Sequence, residues 1–223
     1  MRFIASVAMG IAMAASAHAA DFGGSKDYGY GPSWGGVYVG GVLGGGFGTS
    51  RKDFIQGTTT GDFTVDGVVG GGTIGYSAQW GRLVAGLEAD FSASSVGGKT
   101  DCPNAAFYCE TSTSWLATMR PRIGYAFGNV LPYVTSGLAT GDVNVHSYLK
   151  APPGGGGVDE TKTAVGWTVG GGVEALASSN WSVKVEYLYV QYPTTDALSN
   201  VGTPTSTKFD ESVVRLGINY FLK

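Results

Sequence analysis

The sequence predicts an all-β fold: an eight-stranded antiparallel up-and-down transmembrane β-barrel with short periplasmic turns and long extracellular loops. Three observations lead there. The first is a period of two in residues 163–191, TAVGWTVGGGVEALASSNWSVKVEYLYVQ. Val165, Trp167, Val169 and Val173 share one parity, and Trp181, Val183, Val185, Tyr187 and Tyr189 share it again after the turn Ser178-Ser179-Asn180. Successive strand residues point to opposite faces, so this is a hairpin with one apolar face. The second is that connections along the chain alternate long and short, as an even-stranded membrane barrel requires. The third is that the charges within strands keep to the face opposite the apolar band.

Composition sets the outer limits. The chain has 223 residues, 38 of them Gly, and only 14% are charged. Its one uninterrupted apolar run, Phe3 to Ala15, follows Arg2 and precedes Ser16-Ala17-His18-Ala19. A basic start, an apolar stretch and a small-x-small site predict a cleaved signal peptide over residues 1–19. A signal anchor is the alternative, and the Ala-x-Ala end favours cleavage. The net charge of −3 becomes more negative once Arg2 is lost, which argues against nucleic acid as a partner. No later stretch is long and apolar enough for a membrane helix, so a bilayer can be crossed only by a closed barrel.

The elements follow in order. Residues 20–33, rich in Gly and Tyr, are a flexible leader, and 34–223 form the barrel domain. The first strand is expected over 35–47, the second over 63–79 and the third over 83–92. A loop from 48 to 62 and the turn Trp80-Gly81-Arg82 join them. A second long loop, 93–112, carries both cysteines, Cys102 and Cys109. The fourth strand, 113–127, contains Pro121, which removes a ladder donor. The fifth, 130–145, has competing parities: Leu131, Tyr133, Val143 and Val145 against Val134 and Leu138. A loop over 146–160 leads to the opening hairpin, and a loop over 192–208 leads to the last strand, 209–222.

The strand charges are Glu88, Asp90, Glu174 and Glu186 against Arg120, Arg122, Lys184 and Arg215. An eight-stranded barrel is just wide enough inside for side chains to fill it, and charge on the lipid side is costly. The eight are therefore expected inside as an ion network. Glu88 and Asp90 are expected beside Arg120 and Arg122, and Lys184 and Glu186 beside Glu174 and Arg215. Trp115, Phe127, Trp167, Trp181 and Tyr189 lie toward strand ends on the opposite face, as aromatic girdles do. A soluble barrel with the faces inverted is the alternative, and the aromatic strand ends argue against it.

Other candidate sites are weaker. Two nearby cysteines in one exported loop favour a disulfide over a metal site or free thiols. His146 beside Ser147 supplies a base next to a hydroxyl, more simply a solvated rim pair than a catalytic one. The Gly runs lack the Lys-Ser/Thr and the strand-to-helix step of a phosphate loop. The interior acids are better explained as packing partners of the bases than as an acid/base pair. No catalytic residue, metal ligand or cofactor is expected.

Several strands also resemble a known family. Trp34-Gly35-Gly36-Val37-Tyr38-Val39-Gly40-Gly41, Arg120-Pro121-Arg122-Ile123-Gly124-Tyr125 and Trp181-Ser182-Val183-Lys184-Val185-Glu186-Tyr187 are similar to strands of the small opacity-like, porin-like outer-membrane proteins of alphaproteobacteria. Val214-Arg215-Leu216-Gly217-Ile218-Asn219-Tyr220 is similar to their last strand. The resemblance implies a surface-antigen barrel in the outer membrane and no shared catalytic residues. Its expected partners are outer-membrane lipid and lipopolysaccharide, the barrel-assembly machinery, and a host or environmental surface met by the loops. A narrow channel for small solutes is the alternative role. The family commonly ends on an aromatic residue, whereas Phe221 here precedes Leu222 and Lys223.

Overall fold

A computed structural model describes residues 33–54, 57, 59–104, 106–150, 157–193, 195–197 and 205–222. The expected signal peptide, and all of the expected leader except Ser33, lie outside the described residues. Eleven strand segments form one antiparallel sheet: β1 Gly36–Phe54, β2 Thr59–Trp80, β3 Leu83–Ser94, β4 Gly97–Asp101, β5 Phe107–Ser112, β6 Trp115–Tyr125, β7 Val130–Leu149, β8 Gly157–Leu176, β9 Trp181–Gln191, β10 Thr195–Ala197 and β11 Thr205–Leu222. β1 pairs with both β2 and β11, so the sheet closes on itself. β4 continues β3 past a break at Ser95-Val96, and β5 leads into β6 past Thr113-Ser114. Backbone bonds from Ser94 to Ser114 and from Thr113 to Val96 hold the two breaks together. With β10 counted as the end of the β9 wall, the ring has eight walls.

Three short connections sit at one end: 81–82, 126–129 and 177–180. Gly81 and Gly128 each adopt a φ of 62°, a left-handed turn conformation that side-chain-bearing residues rarely take. The ends of β1 and β11 meet at the same rim, where Val37 pairs with Leu222. By the short-turn rule this is the periplasmic end.

At the other end the strands run further than the alternation suggests. Residues 48–62, expected as a loop, instead extend β1 to Phe54 and begin β2 at Thr59. Likewise β7 reaches Leu149, β8 starts at Gly157 and β11 starts at Thr205. The expected loop 93–112 contains the β4–β5 hairpin. These segments are rich in Thr, Gly and charge, so they carry no apolar alternation. They pair all the same because each prolongs a ladder already in register. A membrane strand needs about 9–11 residues, whereas β2 has 22 and β7 has 20. The sheet therefore projects well beyond the bilayer.

The lipid-facing runs are clear on every wall. Val37, Val39, Leu43 and Phe47 are exposed on β1, and Val214, Leu216, Ile218, Tyr220 and Leu222 on β11. β7 resolves its competing parities by using both: Leu131, Tyr133, Val143 and Val145 are buried inside, while Val134 and Leu138 face out. Pro121 lies in a gap of the β6–β7 ladder, between Met119↔Leu138 and Arg122↔Thr135. The Thr135 hydroxyl donates to its carbonyl at 2.9 Å, and the missing donor is confined to that gap.

Candidate functional site

The inward face of the walls builds the lumen in three layers. At the periplasmic rim Trp34, Tyr38, Val84, Ala126, Leu131, Leu176 and Phe221 form an apolar cluster. Trp34 folds under the barrel. Its indole N–H donates to the Gly128 carbonyl at 3.2 Å, its backbone N–H donates to Gln79 Oε1 at 2.7 Å, and its ring meets Phe221 edge-on.

The middle layer is ionic. Glu88 is its hub. Arg120 Nη2 donates to Glu88 Oε1 at 2.8 Å, and Lys184 Nζ donates to both Glu88 oxygens at 2.8 Å. Arg122 Nη1 and the Tyr38 hydroxyl also donate to Glu88. Asp90 accepts from Arg120 at 2.9 Å, from Arg215 at 3.0 Å and from the Thr118 hydroxyl at 2.6 Å. Glu186 accepts from Arg215 at 2.7 Å, Arg120 at 3.2 Å and Tyr133 at 2.9 Å. Glu174 takes Arg122, Ser182 and Asn219. All eight charged groups are buried, four acids against four bases. Burying a charge is tolerable when it is paired and hydrogen-bonded, and each of these is both.

The pairing differs from the neighbour-strand expectation in three places. Lys184 reaches across the lumen from β9 to Glu88 on β3, although Glu174 is its register partner. Arg215 on β11 crosses to Asp90 on β3 as well as binding its neighbour Glu186. Arg120 binds Glu88 and Asp90 and Arg122 binds Glu88, as expected across the hairpin, but Arg122 also reaches Glu174 on β8. In a barrel this narrow, long side chains from opposite walls meet within the lumen, and inward glycines make the room. A side chain on Gly217 would meet Lys184 at 2.9 Å, and one on Gly44 would meet the Arg215 Cβ at 2.7 Å. Tyr38, Tyr133, Thr118, Ser182 and Asn219 complete the network. Their inward parity was readable, but only the charges marked the layer as ionic.

The outer layer is apolar again. It contains Val65, Val69, Val96, Leu116, Val143, Leu188, Val190, Val213 and others, with Tyr192 stacked on Phe209. Above it β1 crosses to β5, where the Ser50 hydroxyl donates to Thr111 and Lys52 Nζ donates to the Glu110 carbonyl at 2.7 Å. Lys52 lies five residues beyond Phe47, outside the lipid-facing run, and is 1% exposed. Burial pushes its ammonium down to about 8, against partial opposition from the Glu110 carboxylate.

Cys102 and Cys109 are joined as a disulfide that closes the β4–β5 hairpin. His146 and Ser147 are adjacent on β7, so they point to opposite faces. Ser147 turns toward Cys109, at 3.8 Å between Oγ and Sγ. Asp142 accepts backbone N–H bonds from Ser114 and Trp115 and so pins the start of β6. The aromatics gather at the two edges of the lipid-facing band. Trp115 stacks on Phe91 and Trp167 meets Tyr189 at the outer edge, while Trp181 meets Tyr220 and Phe127 meets Tyr125 at the inner.

A closed antiparallel barrel with an apolar exterior and a charge-paired interior is an outer-membrane β-barrel protein. The chain belongs to the outer membrane protein beta-barrel domain family, whose model matches residues 4–220. It is 34% identical over 195 residues to the 22 kDa outer membrane protein of Rhizobium leguminosarum bv. viciae, covering 83% of this chain and 77% of that one. It is 32% identical over 200 residues to the 31 kDa outer-membrane immunogenic protein of Brucella melitensis biotype 1, covering 84% and 83%. Among solved structures, the outer membrane protein OprG from Pseudomonas aeruginosa aligns with 86% of this chain and 97% of its own. Its TM-score is 0.46 and its identity 13%.

Proposed function

We propose that the protein is a closed structural barrel of the outer membrane that braces the envelope and holds a projecting sheet to the exterior. The observation that carries this is the filled lumen: an ionic layer of balanced charge lies between two apolar layers. A conducting pore needs a continuous wet path, and buried apolar layers at both ends oppose one. The projecting sheet, with its disulfide-closed hairpin, is the part that meets lipopolysaccharide and a host or environmental surface. The names of the immunogenic relatives suit such an exposed role. On this reading the lipid-facing band contacts outer-membrane lipid, the barrel-assembly machinery inserts the chain, and no cofactor takes part.

The test is conductance of the refolded mature protein in planar bilayers. A silent membrane is expected. Regular open-channel steps would overturn the reading in favour of a narrow solute channel.

A further inference from the structure

Two buried acids take no part in the ion network: Asp142, which is held by the backbone of Ser114 and Trp115, and Glu211. Glu211 on β11 points inward and is 1% exposed. Its register partners are Gly48 on β1 and Val190 on β9, each one step beyond the outermost lipid-facing aromatic of its strand, Phe47 and Tyr189. The residue therefore lies outward of the membrane-spanning runs, in the outer apolar layer. Its carboxyl fills the space beside Gly46, where an added Cβ would collide with Glu211 Oε1 and with Val96. Its Oε1 has no hydrogen-bond partner among the described residues.

The other charged groups around this layer are engaged elsewhere. On β1 the next inward cation, Lys52, donates to the Glu110 carbonyl. One layer below, Arg215 on β11 and Glu186 on β9 bind each other at 2.7 Å. On β8 Glu160 pairs with Lys162 at 3.0 Å, and on β7 Asp142 is held by the backbone of Ser114 and Trp115. β2 contributes Val65 and Val69 to the cluster and packs Phe63 against it. On β4 Lys99 lies over the Tyr108 ring. Among the described residues the remaining titratable neighbour is the Tyr192 phenol, itself raised by burial and by the Glu211 and Asp142 charges.

We propose that Glu211 is a proton-operated closure of the outer plug. With its proton the carboxyl lies dry among Val96, Val190 and Val213 and the lumen is shut. When the proton leaves to the exterior, the bare carboxylate draws water into the layer and loosens it. An uncompensated buried carboxylate is strongly disfavoured, so the charged form must either hydrate or take its proton back. Burial raises this carboxyl to about 7, which places the exchange near neutral pH. A carboxyl raised on folding contributes stability that is present in acid and is lost as pH rises to its folded value.

The inference rests on the closed-lumen reading. Its test is urea unfolding in lipid vesicles at pH 5.5 and 7.5, for the wild type, Glu211→Gln and Glu211→Leu. The wild type should lose roughly twentyfold in its folding equilibrium between the two pH values through this one group. Both variants should lack that loss. Amide exchange at Val190 and Val213, corrected for intrinsic rate, should quicken at pH 7.5 in the wild type alone. An unchanged pH dependence in Glu211→Gln, or plug amides equally protected at both pH values, would refute the closure. Failure of the closed-lumen reading would look different: open-channel steps in Glu211→Gln at pH 5.5, where position 211 carries no carboxylate.

Discussion

The contact between Lys184 and Glu88 is the sharpest test of the ionic layer. It joins opposite walls across 96 residues of sequence, and Lys184 Nζ lies 2.8 Å from both carboxylate oxygens. Removing one partner of a buried pair costs about 3–5 kcal/mol, because the other charge is left uncompensated. The two ends of this pair are not equivalent. With Lys184→Met, Glu88 still holds Arg120, Arg122 and Tyr38, so the loss should fall below that range, at about 1–3 kcal/mol. With Glu88→Gln, Lys184 loses the one carboxylate it contacts among the described residues, and Arg120 and Arg122 each lose one of theirs. That loss should reach the top of the range, at about 4–5 kcal/mol. The double variant should recover about 1–3 kcal/mol of the summed losses, as coupled neighbours do. Equilibrium unfolding in vesicles, followed by tryptophan fluorescence, measures all four corners of the cycle. Equal single losses that simply add would mean that the two charges are separately hydrated and that the layer is wet.

Three further outcomes are expected. Val169→Arg or Val185→Arg places a charge on the lipid face near the middle of its strand. Each should destabilise the barrel by about 2–4 kcal/mol in bilayers, and tolerance at both sites would invert the assignment of faces. Thiol alkylation of unreduced protein should modify neither Cys102 nor Cys109 and should modify both after reduction; labelling without reductant would contradict the disulfide. Lys52 has a folded-state value of about 8, below the ordinary lysine range, so the unfolded chain holds more protons between about 8 and 10 and stability should climb with pH there. Lys52→Met should flatten that rise, and a rise that persists in the variant would assign it to another group.

The walls of the barrel were legible because the apolar parity survives in every spanning run, from Val37 to Leu222. Two things were not. The outer sheet has no apolar band to advertise, since Thr49, Arg51, Thr60 and Asp62 meet water rather than lipid. Its strands are continued by register, not by pattern. The partners of the lumen charges were also hidden. Parity places Lys184 and Arg215 inside, but whether each reaches an adjacent or an opposite wall depends on the bore and on which glycines vacate it. Gly217 beneath Lys184 and Gly44 beside Arg215 are identifiable only with the ring closed. The mixed parity of β7 had a simple cause: its inner ends line both apolar plugs while its middle faces lipid.

The cross-lumen pairs also bear on how the barrel closes. The β1–β11 seam joins the two ends of the spanning chain, with Gly45 opposite Val214. The apolar band alone forbids a slip of one residue, because that would turn Arg215 into lipid. A slip of two keeps every face and is invisible to the band. It would still carry Arg215 about 7 Å along the seam, away from Asp90, which it now meets at 3.0 Å. The hypothesis is that the ionic layer selects the seam register that the lipid face leaves degenerate. Buried polar groups are known to set register in some assemblies and not in others, so the case needs its own test. In a background with Cys102 and Cys109 replaced by Ser, Gly45→Cys should cross-link to Val214→Cys across the native seam. With Arg215→Met and Asp90→Asn added, cross-links from Gly45→Cys to Ser212→Cys or Leu216→Cys should begin to form. If the neutralised barrel still yields only the native cross-link, the register is set elsewhere, and the ionic layer serves closure of the lumen alone.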